Sequence, residues 1–258
     1  MKKTKKISDL KFFKNSEEVK GLIEDYVYSF LNIKEDTVEI KRFIKKKIDP
    51  VKFLFDFFIF YSQNFEKTLN AEIQRQKDKT INNWIGNFHE ELIACLPNCS
   101  KSKERGFDIC FTPSINERIL IEVKNKFNTM NSSSMKTVYE RMEKAIKEKQ
   151  ATNCYLIEII AKKSGKKIWK PSINGIKKEN VKIQQISIDV FYKEVTKIED
   201  AFFRMYQYLS KKIKKIVEEI ENSNSNKTIN INKNKIYTLD DILKITFASY
   251  LGFNKQNF

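Results

Sequence analysis

Gly106-Phe107-Asp108-Ile109-Cys110-Phe111-Thr112 and, after a short turn, Arg118-Ile119-Leu120-Ile121-Glu122-Val123-Lys124-Asn125-Lys126 decide the fold. In both stretches apolar and polar residues alternate, which is the period of a β-strand with one face buried. The turn through Pro113, Ser114, Asn116 and Glu117 is short enough to fold the second strand back on the first. Thirteen residues separate Asp108 from Glu122, about the length needed to bring the two side by side. Side-chain alternation then sends Glu122 and Lys124 to one face while Val123 points to the core, and Asp108 leaves the face opposite Phe107 and Ile109.

Working outward, the pattern changes period on both sides. After Asn131-Ser132-Ser133-Ser134, the residues Met135, Val138, Tyr139, Met142, Ala145 and Ile146 follow helical spacing and predict an amphipathic helix. Cys154 to Ala161 is apolar except for Glu158, as expected of a strand covered on both faces. Strand, helix and buried strand together predict a right-handed parallel crossover. A lysine-rich loop, Lys162 to Lys182, precedes an expected strand near Ile186 to Val190 and a long helix from Ile198 to Ile220. Upstream, helices are expected from Ser16 as the N-cap, from Asp36 to Ile48, from Val51 to about Ile73 with a width suggesting burial between neighbours, and from Thr80 to Leu96. Asn222 to Asn234 reads as a low-complexity linker before a final helix, Leu239 to Tyr250. The expected organisation is a helical N-terminal region over 1–78, a core with recognition insertions over 79–221, and a linker with a C-terminal helix over 222–258.

Length and composition bound the function. A chain of 258 residues with 41% hydrophobic residues and only six glycines supports a sizeable core without disulfide staples. Lys plus Arg exceed Asp plus Glu by 49 to 33, a net charge of +16 that favours a polyanionic partner. Cys95, Cys99, Cys110 and Cys154 form no C-x-x-C pair, and His89 is the one histidine, too few soft ligands for a zinc site. Free thiols and the lack of an apolar span fit a reducing cytoplasm and no membrane.

Two carboxylates, Asp108 and Glu122, beside the carbonyl of Val123 offer hard oxygens suited to Mg2+. Lys124 next to them suits phosphodiester hydrolysis, where an ammonium orients a water or offsets charge in the transition state. Glu-x-Lys on a strand is also a common exposed ion pair, and it is the upstream Gly-x-Asp and the crossover that turn the pattern toward catalysis.

The order of a helix with Gly86-x-x-x-Glu90, a strand with Gly106-x-Asp108, a strand with Glu122-x-Lys124, an amphipathic helix and a buried strand resembles the PD-(D/E)xK nuclease superfamily over roughly Thr80 to Ala161. Ile85-Gly86-Asn87-Phe88-His89-Glu90 with Glu122-Val123-Lys124-Asn125-Lys126-Phe127-Asn128-Thr129-Met130-Asn131-Ser132-Ser133 resembles, more narrowly, type II restriction endonucleases that recognise GGNCC. Phe107 stands where the superfamily name places Pro. The resemblance implies an α/β restriction-endonuclease-like core, a mixed sheet flanked by helices, acting as a homodimer on double-stranded DNA beside a cognate DNA methyltransferase. It also implies Asp108 and Glu122 as metal-binding acids, Lys124 as catalytic lysine and Glu90 as a contributing helix carboxylate. Lys126, Asn128, Asn131, Ser132, Ser133, Lys136 and Arg141 lie past or beside the catalytic strand, where they could contact DNA, although the same Asn and Ser residues are ordinary helix caps. The Lys162 to Lys182 loop, with Trp169, is the expected groove-facing insertion, and His89 is expected to be a packed residue. A structure-selective nuclease on the same core, and a basic DNA-binding protein without catalysis, remain open on these residues.

Overall fold

The computed structural model describes residues 10–35 and 49–223. The expected helices over Asp36 to Ile48 and Leu239 to Tyr250, and nearly all of the expected linker, lie outside the described residues. The chain divides into two compact units, one formed by residues 1–24 and 89–258 and the other by residues 25–88.

The first unit is built on a six-stranded sheet. Its strands are β1 (Cys99–Lys101), β2 (Ile109–Ser114), β3 (Glu117–Lys126), β4 (Asn153–Ile160), β5 (Lys166–Ile168) and β8 (Ile183–Ser187), in spatial order β1-β2-β3-β4-β8-β5. Two short strands, β6 (Ser172–Ile173) and β7 (Ile176–Lys177), form a separate hairpin. β1, β2 and β3 are antiparallel to one another, whereas β4 runs parallel to β3 and β8 parallel to β4. Antiparallel pairing of β2 with β3 follows from the tight turn, since Ser114 pairs with Glu117. Parallel pairing of β3 with β4 needs a crossover, which is supplied by helix α4 (Ser132–Lys147).

That crossover helix starts where its sequence says it should. The Asn131 side-chain oxygen accepts from the Ser134 N–H at 2.8 Å, satisfying a donor that the first turn would otherwise leave unpaired. Its apolar stripe, Val138, Tyr139, Met142 and Ala145, is buried against Leu120, Cys154, Leu156 and Ile183 of the sheet. On the opposite face Ile109, Ile119, Ile121, Ile157 and Ile186 are buried. There α5 (Ile188–Thr196) packs on β4 and β8, with Phe191 5.7 Å from Phe111, and α6 (Ala201–Ser223) packs on α5 through Tyr192 and Phe202. The mixed sheet between helices is the expected fold class.

Several expectations need correction. Helix α1 (Ser16–Glu35) is capped by Asn15, whose side chain accepts from Glu17 and Glu18, rather than by Ser16. The last strand is Ile183–Ser187 and not Ile186 to Val190, because Ile188 already begins α5. The Lys162 to Lys182 segment is not wholly a groove-facing insertion: β5 joins the sheet edge and Trp169 is buried with its ring 5.6 Å from Tyr139. Asp108 sits just before β2, its N–H donating to Ile121 O at 2.9 Å.

The second unit is helical. It holds the rest of α1, helix α2 (Pro50–Phe55) with a π turn over Asp56–Phe60, and most of helix α3 (Phe65–Ala94). Asp49 caps α2 by accepting from Val51 and Lys52, with Pro50 in the first turn. The continuous helix expected from Val51 to Ile73 is interrupted where Ser62 and Gln63 take positive φ of 47° and 63°. The burial expected for it is not found either: Val51, Leu54, Phe58, Ile59 and Phe60 are exposed, and it is Asp56 that is buried, 2.7 Å from Arg75. Tyr26 with Phe88, and Phe30 with Trp84, form the ring contacts between α1 and α3 within this unit.

Leu120 is fully buried at the centre of β3, whereas Ile115 at the β2–β3 turn is 97% exposed. Leu120→Ala is expected to lower the unfolding free energy by about 2–5 kcal/mol in urea denaturation. Ile115→Asn in the same assay should change it by less than about 0.5 kcal/mol. Equal effects would contradict this assignment of the core.

Candidate active site

The site grows from the junction of β2 and β3. Asp108, at the mouth of β2, accepts from the Val123 N–H through Oδ2 at 2.7 Å. That single bond ties the carboxylate of one strand to the backbone between Glu122 and Lys124 on the next. Glu122 is 6% exposed, and a carboxylate so buried must be neutralised or paired. It is paired twice. Lys124 Nζ lies 2.5 Å from Oε1, and Arg141 Nη2 from α4 lies 2.5 Å from Oε2. Val123 is buried, as strand alternation requires.

Asp108, Glu122, Glu90 and Lys124 share one electrostatic environment. The Asp108 carboxyl is pushed up to about 6, first by burial, then by repulsion from Glu122 and Glu90, while the Val123 N–H and the Lys124 ammonium pull the other way. Glu90, on the last turns of α3, is half-buried and held by Lys101 of β1 at 2.8 Å. His89 beside it is buried, and desolvation lowers its imidazole to about 4. It is therefore a neutral packed residue near pH 7.

The residues expected at DNA divide. Lys126 at the end of β3, Asn128 just after it, and Ser132, Ser133 and Lys136 in the first two turns of α4 are exposed. Lys136 is 4.0 Å from Glu140 on the same helix face. Asn131 is exposed as well, but its side-chain oxygen is engaged as the α4 cap. Arg141 lies not on an exposed helix face but over the Phe107 ring, 5.1 Å from its centroid, and against Glu122.

Two features of this corner escape the strand pattern. One is Arg141 as partner of Glu122, since a helix-to-sheet contact across nineteen residues leaves no local period to read. The other is Glu158, which is in register with Lys124 on β4 and is buried; burial raises its carboxyl, while a hydrogen bond with Gln185 and the charge of Lys167 oppose the rise. Its signal was present as the single charge in an apolar strand.

The donor set suits a hard divalent cation that keeps most of its waters: two carboxylates and a neighbouring backbone carbonyl are oxygens throughout. Among the described residues no group of three or more His, Cys, Asp and Glu is gathered as a ready cage. A magnesium-like ion needs only one or two carboxylates when substrate phosphate supplies further oxygens, so the residues fit.

The family described as Eco47II restriction endonuclease matches residues 10–218. The type II restriction enzyme Sau96I of Staphylococcus aureus is 31% identical over 186 residues, covering 69% of this chain and 70% of its own length. The type II restriction enzyme Eco47II of Escherichia coli is 29% identical over 197 residues, covering 72% of this chain and 80% of its own.

Ionising Asp108 is costlier in the fold than in the unfolded chain, because its folded value of about 6 stands above the ordinary 3.8. The resulting penalty is absent below about pH 4, grows as pH rises to about 6 and is complete above it. Asp108→Asn keeps an acceptor for the Val123 N–H and removes the charge. In chelator-containing buffer at pH 7.5 it should stabilise the protein by about 1–2 kcal/mol, with a raised Tm, and the gain should vanish near pH 4. A gain that is flat with pH would rule out the ionisation of Asp108 as its source.

Proposed function

The chain belongs to the Eco47II restriction endonuclease family, and from that premise we propose how its residues serve the reaction. It is a type II restriction endonuclease, a site-specific deoxyribonuclease acting on double-stranded DNA. The finer reading is hydrolysis of a phosphodiester bond at GGNCC by a homodimer using Mg2+, in a cell whose own sites are protected by a DNA methyltransferase. The observation that supports it is the convergence of Asp108, Glu122 and Lys124 at one corner of the sheet, tied together by the Val123 N–H and the Glu122–Lys124 ion pair.

Asp108 and Glu122 hold the ion, with the Val123 carbonyl beside them. When bound, it supplies Lewis-acid polarisation of the phosphate and a more acidic water. Lys124 does the rest of the local work. Its ammonium is 2.5 Å from Glu122 and partly exposed, so it can turn from that carboxylate toward the phosphate, orient the attacking water in line and offset charge on the pentacovalent phosphorus. Glu90, reaching the same field from α3, adds negative charge that favours retention of a cation. Lys126, Lys136, Asn128, Ser132 and Ser133 contact the DNA backbone or groove next to the cut, where short hydrogen-bonding groups and ammoniums suit phosphate. A net charge of +16 draws the duplex in and makes its binding salt-dependent.

Digestion of a phage genome with Mg2+ should give discrete fragments whose ends all map to GGNCC. Lys124→Ala and Asp108→Ala should retain duplex binding in gel shift and lose about 10²–10⁴-fold in cleavage rate. Smeared digestion would overturn the sequence-specific reading, and undiminished cutting by either variant would overturn the residue roles.

A further inference from the structure

Glu122 has two carboxylate oxygens, and they are held from different directions. Oε1 meets Lys124, two residues along the same strand, and Oε2 meets Arg141 from the crossover helix, each at 2.5 Å. The two cations differ in freedom. Lys124 is a flexible ammonium whose partner can change, whereas the Arg141 guanidinium is boxed in. It lies over the Phe107 ring at 5.1 Å, with Gly106 close beside it. A Cβ at Gly106 would fall 2.7 Å from Arg141 Nη1 and 2.8 Å from its Cδ, and the residue has φ of +87°, which disfavours any side chain there. The glycine ahead of Phe107-Asp108 thus makes room for an arginine that the strand pattern does not reveal. Arg141 Nε is buried without a hydrogen-bond partner among the described residues, so packing and the single contact to Glu122 hold the group.

We propose that Arg141 is a positioning residue that sets which divalent cation the site accepts, by keeping Oε2 of Glu122 occupied so that only Oε1, from which the flexible Lys124 can withdraw, is available to the ion. The inference rests on the reading of Asp108 and Glu122 as the ion-binding pair and deepens it. Mg2+ demands near-octahedral geometry with single oxygens at short distance, whereas Ca2+ accepts more ligands and readily takes both oxygens of one carboxylate. A glutamate with one oxygen reserved therefore favours the smaller ion, and one with both oxygens free favours the larger. The Nη2 contact of Arg141 and its seat over Phe107 are what keep Oε2 reserved.

Calorimetric titration of the full chain with MgCl2 and separately with CaCl2 tests this without any turnover. In Arg141→Gln the ratio of the Mg2+ to the Ca2+ dissociation constant should move about tenfold toward calcium, and Arg141→Lys, which keeps a cation on Oε2, should stay closer to the unaltered protein. Gly106→Ala places a Cβ against the Arg141 side chain and should shift the ratio in the same direction; it is the variant to read if Arg141→Gln does not give a native circular-dichroism spectrum. If the two affinities move together, or not at all, while Asp108→Asn weakens both, the role of Arg141 is overturned and the ion site stands. If the unaltered protein binds neither ion, or binds both as well after Asp108→Asn, the ion site itself is overturned and this inference with it.

Discussion

A carboxylate withdrawn from water needs cationic partners, and Glu122 has two, Lys124 and Arg141. Losing the Arg141 partner would leave the buried Oε2 without its cation. One cation comes from the same strand, so any chain that forms β3 supplies it. The other comes from α4, so the seat of that helix on the sheet and the charge state of the site are one constraint. The apolar stripe of α4 fixes its rotation by burying Val138, Tyr139, Met142 and Ala145 against Leu120, Cys154 and Leu156. With those four turned inward, Arg141 is left at the edge of the stripe, above the polar end of β3 where Glu122 emerges.

The sheet was legible where side-chain period and chain length agree. β2 and β3 alternate, the turn between them allows only an antiparallel return, and the filled helical template before an apolar strand demands a parallel crossover; β3, α4 and β4 stand within a residue or two of their expected places, and β2 starts three residues later than expected. Elements without a local period were not legible. β5 is three residues inside a lysine-rich segment, and it becomes a strand by pairing with β8 rather than by any preference of Lys166-Lys167-Ile168. Trp169 belongs to the core because Tyr139 faces it from α4, a contact thirty residues away in sequence. The boundary between β8 and α5 is hidden for a different reason. Ile186, Ile188 and Val190 alternate as a strand would, yet Ile188 and Phe191 share one buried helical face.

The candidate site divides along the same line. The nearness of Asp108, Glu122 and Lys124 was legible because strand alternation and hairpin length place three polar groups together, whereas the bond from the Val123 N–H to the Asp108 side chain depends on where β2 begins. By sequence alone Arg141 is a cation on a helix surface, since position on a helix does not say what stands across from it. The polar run Asn125 to Ser134 carries two uses in one string: Asn131 is engaged as a cap, while Asn128, Ser132 and Ser133 stay exposed. Residue type is equally suited to both, and only backbone conformation distinguishes them.

Charge balance at the corner also bears on how a polyanion is admitted. Asp108 and Glu122 contribute two negative charges and Lys124 and Arg141 two positive ones, while Glu90 is offset by Lys101. The corner is therefore close to neutral by itself, despite carrying the acids that a duplex should repel. Under the proposed function a divalent cation brings two further positive charges to carboxylates already compensated. The loaded corner is then cationic, and a phosphate is attracted where before it was merely tolerated. An acidic pair without Lys124 and Arg141 would reach neutrality only when loaded, and would gain nothing for phosphate beyond the ion's own coordination. Under that reading the two cations around Glu122 serve stability before substrate arrives and electrostatics when it does.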